Sequence, residues 1–141
     1  MLALLKDEAG SEMVRHLLED EQVTSYAHAV NLCEVFYDFG SPSLPQNQAR
    51  AQTALDALFE AAVIECNDMD GQFWRDVAFL IAERRSHPPR AAKPREKARL
   101  ALGDAFGLAL ARRLNCEFIT ADRGEIEPLQ NAGLCRAVFL R

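Results

Sequence analysis

The chain has 141 residues, of which 49% are apolar and 26% are charged. These are ordinary globular proportions, which exclude a disordered chain, a fibre and a coiled coil. Its apolar runs fall well short of the roughly 20 residues of a membrane-spanning helix, so no membrane partner is expected. With a net charge of −5 the chain as a whole is a poor non-specific binder of nucleic acid. Its length predicts one domain over residues 1–141.

Helices and short strands are predicted to alternate along the first half of the chain. Apolar spacing, the capping residue Ser11 and the breaks at Gly40 and Pro42 set the boundaries. The predicted order is a helix at 2–6, a helix from Ser11, a strand at 22–26, helices at 27–39 and 45–61, and a strand at 62–66.

The second half continues this alternation after a turn at 67–71. The predicted order is a helix at 73–85, a basic linker at 90–102, a helix at 103–114, a strand at 116–120, a short helix at 127–131 and a strand at 134–140. Strands that alternate with helices are typical of an α/β fold, with a parallel sheet between helical layers.

The four cysteines bear on the compartment of the protein. They are widely scattered and form no Cys-x-x-Cys pair, so a zinc site and a disulfide framework are not expected. No basic segment precedes an apolar stretch near the start of the sequence, so a secretory signal is not expected either. Both observations predict a cytoplasmic protein with reduced thiols.

The charge is unevenly distributed. Residues 1–83 carry 15 acids and 4 Lys or Arg, whereas residues 84–99 carry 7 Lys or Arg and 1 acid. Such a basic segment can hold the phosphates of a nucleic acid, or it can be a solvated, proline-broken loop, and the sequence leaves both open. The candidate RNA-binding residues are Arg84, Arg85, Arg90, Lys93, Arg95, Lys97 and Arg99.

Three carboxylates occupy positions that are unusual for charged groups. Glu34 lies in a mostly apolar predicted helix, Asp104 begins a helix that is apolar nearly all round, and Asp122 follows a predicted buried strand. Each also has a structural explanation: a polar helix stripe that faces water, a favourable helix dipole, and a turn.

Ligands of an open parallel sheet lie at the carboxyl ends of its strands. Asp122 is predicted at that edge, and Glu34 can approach it from a helix that begins there. Asp104 begins a helix that leads back into the strand before Asp122, and we expect that helix to begin at the opposite edge. Residue patterns alone therefore do not bring Asp104 to the other two.

Two blocks of the sequence carry a family resemblance. Residues 100–111, with Gly103-Asp104-Ala105, and residues 118–123, with Thr120-Ala121-Asp122, are similar to the C-terminal signature of PIN-domain nucleases, closest to VapC-type toxins. Residues 24–35 resemble the second motif of that family, and residues 2–12 the end of its first motif.

The resemblance implies a three-layer α/β/α PIN-like fold and a metal-dependent endoribonuclease. It implies that Glu34, Asp104 and Asp122 are catalytic and bind Mg²⁺ or Mn²⁺, with Thr120 supporting the site. It also implies a small antitoxin as partner, bound as a helix in a groove. The aromatic residues Phe36, Phe39, Phe73 and Trp74 are candidates for that groove or a dimer interface, with the core as the favoured alternative.

The front of the sequence departs from the family. The family's first acid ends a first, central β-strand, and residue 1 is already past that point, so we expect this strand and acid to be missing. A start codon placed too late explains this better than a shortened relative. We then expect weak metal binding, impaired cleavage and exposed sheet edges that close on each other or recruit another chain, as in a homodimer. The alternative function is a non-catalytic PIN-like RNA- or protein-binding module.

Overall fold

The computed structural model describes residues 9–38, 45–88 and 99–140. The chain divides into two compact units, an N-terminal unit (Met1–Asn67) and a C-terminal unit (Asp68–Arg141). In its described residues each unit contains helices and one pair of parallel strands, so the predicted α/β class with parallel strand pairing is confirmed. The expectation of a single domain stays a prediction. Among the described helices none is both long and apolar enough to span a membrane.

Five elements make up the described part of the N-terminal unit. They are α1 (Ser11–Glu19), β1 (Tyr26–His28), α2 (Ala29–Asp38), α3 (Pro45–Glu60) and β2 (Ile64–Cys66). Strands β1 and β2 pair in parallel, with Tyr26 opposite Ile64 and His28 opposite Cys66. The predicted helix at 2–6 lies outside the described residues.

A small apolar core holds this unit together. Helix α2 buries Leu32 and Val35, which are three residues apart and share one face of the helix. Helix α3 buries Leu55 and Leu58 at the same spacing, and the two helices pack on each other. The core cluster comprises Ala27, Leu32, Val35, Ala54, Leu55, Leu58 and Val63.

Two of the differences between predicted and observed boundaries in this unit have a clear local cause. Strand β1 begins at Tyr26, not at 22, because Asp20 closes a turn: its carbonyl accepts from the amide of Val23 at 2.9 Å and its Oδ1 from the amide of Gln22 at 2.9 Å. Helix α1 has Gly10 as its N-cap, in the left-handed region at φ 95°, so Ser11 is the first helical residue.

The described part of the C-terminal unit also has five elements. They are α4 (Gly71–Ser86), α5 (Leu102–Arg113), β3 (Phe118–Thr120), α6 (Arg123–Asn131) and β4 (Ala137–Phe139). Strands β3 and β4 pair in parallel, with Phe118 opposite Ala137 and Thr120 opposite Phe139. Helix α4 packs against both α5 and α6.

Helix α5 is the centre of this unit. Every residue from Gly103 to Ala111 is buried except Asp104, which is half-buried, as an all-round apolar helix predicts. Phe73 of α4 is fully buried and its ring lies 5.8 Å from that of Phe106. Phe73 is therefore a core residue and not part of an exposed groove.

An ion pair fixes the start of α4 to the end of α5. Asp70 caps α4 and accepts hydrogen bonds from the amides of Gln72 and Phe73, both at 2.9 Å. The guanidinium of Arg113 donates to both oxygens of Asp70, at 2.7 and 3.0 Å. These bonds hold the pKa of Asp70 well below its usual range, the bonds from Arg113 contributing most.

Candidate metal centre

Helix α5 runs antiparallel to the strand that follows it. The chain reverses at Leu114 and Asn115, the latter at φ 54°, and the amide of Cys116 donates to the carbonyl of Ala111 at 2.9 Å. Further along, the ring of Phe118 packs against Gly107. Each step forward in β3 thus matches a step backward in α5, which brings the start of α5 to the carboxyl end of β3.

This geometry corrects one expectation. We expected α5 to begin at the sheet edge opposite to Asp122, but a helix that feeds directly into a strand and lies antiparallel to it begins beside that strand's carboxyl end. Asp104, in the first turn of α5, is placed there by the short connection alone. The residue pattern was sufficient to predict this neighbourhood.

Three carboxylates meet at this end of β3. One oxygen each of Asp104, Asp122 and Glu125 lies within 4.8 Å of the others, and we call these three residues the acid cluster. Asp104 and Glu125 are half-buried and Asp122 is exposed. The sequence predicted the first two members and missed Glu125.

Local hydrogen bonds place Asp122 and Glu125. The hydroxyl of Thr120, which is buried, accepts from the amide of Asp122 at 3.0 Å and turns the chain at the end of β3. Asp122 is then the N-cap of α6, and its Oδ1 accepts from the amide of Glu125 at 2.9 Å. A capping residue followed three positions later by Glu is a recognised helix-start signature, and this signal would have identified Glu125.

Glu125 also links two helices. Its Oε2 accepts from the amide of Ala101 at 2.7 Å, and Ala101 is the N-cap of α5 with no side-chain cap of its own. The starts of α5 and α6 therefore face the same cluster. The positive ends of both helix dipoles favour negative charge there, which lowers the cost of bringing three carboxylates together.

A family model for the PIN domain matches residues 1–127. The chain belongs to the PIN domain family. No curated protein and no solved structure matches the chain. PIN domains are generally metal-dependent nucleases, so the chain is a nuclease-like module.

The chemistry of the acid cluster fits the metal use of PIN domains. Mg²⁺ and similar hard cations prefer carboxylate oxygens and are usually held by one or two carboxylates together with water. The cluster offers three carboxylates, and the exposed side chain of Asp122 leaves it open to solvent on one side. In this PIN domain, Asp104, Asp122 and Glu125 are thus the described residues that could hold a divalent ion.

Glu34 lies on α2, in the N-terminal unit. It is half-buried, as are Asn31 and Asp38 on the same polar stripe, so the stripe is not simply a water-facing surface. The pKa of Tyr37 is raised, first by partial removal of its hydroxyl from water and then by the charge and hydrogen bond of Glu34. A place for Glu34 in the metal centre of this PIN domain stays a prediction.

The basic segment is divided by the structure. Arg84 is only 2% exposed, and its guanidinium donates to three backbone carbonyls, those of Gly124, Glu125 and His87. This corrects its assignment as an RNA-binding residue, because a buried guanidinium cannot reach a phosphate. Arg85 and Arg99 are exposed. The remaining cations, Arg90, Lys93, Arg95 and Lys97, lie outside the described residues.

Proposed function

We propose that this PIN domain is a Mg²⁺- or Mn²⁺-dependent endoribonuclease of the VapC type, which hydrolyses phosphodiester bonds in RNA. The observation that supports it most is the convergence of Asp104 and Asp122, 18 positions apart in the sequence, with Glu125 as a third carboxylate. The surroundings are two helix starts, which favour anionic groups even before a cation binds.

The proposed catalytic and metal-binding residues are Glu34, Asp104 and Asp122, to which we add Glu125. When bound, a divalent ion lowers the pKa of a coordinated water and neutralises charge on the phosphate. The protein holds the carboxylate oxygens in place: Thr120 fixes the backbone of Asp122, and Asp122 fixes the amide of Glu125.

Phosphate contacts outside the metal centre are assigned to the exposed cations of the basic segment. Arg99 is two residues before Ala101, whose amide binds Glu125, so a cation borders the acid cluster along the chain. Arg85 is exposed on the last turn of α4. Cations beside an acidic metal centre would hold the backbone of a nucleic acid while the acids act on one phosphodiester.

The proposal extends to partners and location. A small antitoxin protein would bind as a helix in a groove, and a second copy of the chain would form a homodimer, both in the cytoplasm. Trp74 is 49% exposed on α4 and Phe36 is 36% exposed on α2, so both rings are available to a partner. Phe39 lies outside the described residues.

A non-catalytic PIN-like binding module is the second candidate, and a specific observation favours it. Asp122 already caps α6, and Glu125 already caps α5 through Ala101. Acids with such structural roles would be kept in a module that binds RNA or protein without cutting it. In such a binding module the basic segment would still bind phosphate, but the acid cluster would hold no metal.

Metal binding and cleavage separate the two candidates. Mn²⁺ would be titrated into the protein and followed by electron paramagnetic resonance, and 5′-labelled RNA and DNA of one sequence would be incubated with Mg²⁺ or Mn²⁺. The nuclease proposal expects saturable Mn²⁺ binding and metal-dependent cleavage of RNA, both lost in Asp104→Asn and both retained in Asp56→Asn, a change at an exposed acid of α3. RNA binding without Mn²⁺ binding would support the binding module, and cleavage that survives Asp104→Asn would refute the assigned site.

A further inference from the structure

Helix α6 contains a proline where a hydrogen-bond donor is needed. Pro128 lies inside the helix, and proline has no N–H, so the carbonyl of Gly124, four residues earlier, receives no helical hydrogen bond from position 128. The proline ring also pushes this carbonyl away from the helix axis. A helical carbonyl that is left without a donor destabilises the first turn of the helix.

Arg84 donates the missing hydrogen bond. Its Nη2 lies 3.0 Å from the carbonyl oxygen of Gly124, and its Nε lies 2.7 Å from that of Glu125. Its Nη1 donates to the carbonyl of His87 at 2.9 Å, at the C-cap of its own helix, α4. Three carbonyl acceptors and the negative end of the α4 dipole compensate the cost of burying this cation.

We propose that Arg84 is a positioning residue for the acid cluster. By replacing the donor that Pro128 lacks, it holds the first turn of α6 against the end of α4. That turn begins at Asp122 and includes Glu125, two of the three carboxylates. Its effect on metal affinity rests on the proposed function, whereas its effect on the helix start does not.

The geometry couples Arg84 to two further contacts of the cluster. Three groups of Glu125 make hydrogen bonds. Its carbonyl accepts from Arg84, and its amide donates to the carboxylate of Asp122. Its own carboxylate accepts from the amide of Ala101 at the start of α5. A shift of this one residue would therefore move three groups together: two carboxylates and the cap of α5. Loss of an outer residue that orients metal ligands typically lowers metal affinity 10–100-fold.

The test is a double-mutant cycle between positions 84 and 128. Arg84→Met removes the donors but keeps a long side chain, and Pro128→Ala restores an amide that can donate to the Gly124 carbonyl. Arg75→Met makes the same chemical change at an exposed arginine of the same helix, α4, and is the control. Amide hydrogen exchange at Glu125 and Ile126 is measured without metal, and Mn²⁺ affinity is measured by electron paramagnetic resonance.

We expect Arg84→Met to accelerate exchange at both amides about tenfold and to weaken Mn²⁺ binding about 10-fold or more. The effect of Arg84→Met on exchange and on Mn²⁺ affinity should shrink at least about threefold when Pro128→Ala is added. Arg75→Met should change neither quantity. If Arg84→Met does not fold, Arg84→Lys, which keeps one donor group, is compared with and without Pro128→Ala in the same way.

Equal effects of Arg84→Met in the two backgrounds would overturn the coupling to Pro128, and unchanged exchange at Glu125 would overturn the positioning role. Absence of Mn²⁺ binding by the wild-type protein would instead refute the proposed function, and the exchange data would still decide the role of Arg84.

Discussion

The amide of Ala101 donates a hydrogen bond to Oε2 of Glu125 at 2.7 Å, so a side chain from the start of α6 caps the start of α5. The two helices that carry the acid cluster are thereby tied at the cluster itself. A change at one carboxylate is transmitted to the backbone that carries another, and the effects of single substitutions should not add.

Asp122 has separable structural and charge roles. Asn is as good a helix cap as Asp, so Asp122→Asn should keep the free energy of unfolding within about 0.5 kcal/mol of wild type while removing the charge. Asp122→Ala removes both the cap and the charge, and it should lower the free energy of unfolding by about 1 kcal/mol. Thermal or urea unfolding measures the cap, and Mn²⁺ titration measures the charge. Equal destabilisation by both variants would contradict this separation.

Gly107 is required by the packing of α5 on β3. A Cβ at this position would lie 3.1 Å from Cζ of Phe118 and still closer to another atom of the same ring, so it would overlap that ring. Helix propensity alone predicts that Gly107→Ala stabilises the protein, whereas this overlap predicts a loss of about 1–3 kcal/mol in the free energy of unfolding. Urea denaturation shows whether Gly107→Ala raises or lowers the free energy of unfolding.

The matched control for that substitution is Gly71→Ala, at the start of α4. A Cβ there would meet only Nε1 of Trp74, at 4.0 Å, which is an ordinary contact. The variant should be neutral or more stable by up to about 1 kcal/mol. A stabilising Gly107→Ala would show that Phe118 has room to move.

Asp70 should make stability depend on pH in the acid range. Its pKa in the folded protein lies below the ordinary value of 3.8, so the unfolded chain binds more protons there. The bonds from Arg113 therefore stabilise the fold above about pH 4, and this contribution is lost as the pH falls below 3.8 towards the folded pKa. Asp70→Asn keeps the helix cap but removes the titration, so its melting temperature should fall less steeply between pH 5 and 2.

A control for this prediction is Asp56→Asn, which removes an exposed acid on α3. Its melting temperature should follow that of the wild type across the same pH range. An unchanged acid slope in Asp70→Asn would mean that the pair with Arg113 contributes nothing to stability in solution.

The exposed cations of the basic segment should set the salt dependence of RNA binding. Each phosphate contact on a single strand contributes about 0.7 to the slope of log K against log salt. Combining Arg85→Gln with Arg99→Gln should therefore make the slope shallower by about 1.4. Fluorescence anisotropy with a labelled RNA at four salt concentrations measures it. Arg15→Gln, on α1, should leave the slope unchanged and is the control. A slope equal to that of the wild type in the double variant would show that the RNA does not contact Arg85 and Arg99.

The long helices were predictable because their signals are local. Apolar spacing and caps place α4 and α5 within two residues of their observed ends. The strands are only three residues long, and β1 was displaced because a turn closed by Asp20 competes for the residues before it. Short strands depend on their neighbours, and the sequence alone carries little information on them.

Two of the three residues of the acid cluster were predicted from the sequence. Asp104 and Asp122 were identified through the family resemblance, although the antiparallel course of α5 and β3 was sufficient to bring them together. Glu125 was missed because the short helix was predicted to begin at 127, whereas α6 begins at Arg123 with Asp122 as its cap. Arg84 was misassigned because its burial depends on carbonyls about 40 positions away, at Gly124 and Glu125, which no local pattern reveals.

Two members of the acid cluster are the cap and the third residue of one helix, so the distance between them depends on the three-residue interval from Asp122 to Glu125. One residue inserted into this interval would rotate the later carboxylate by about 100° around the helix axis, away from Asp104. Relatives of this chain should therefore tolerate length variation in the loop after Asn131 but keep this interval constant.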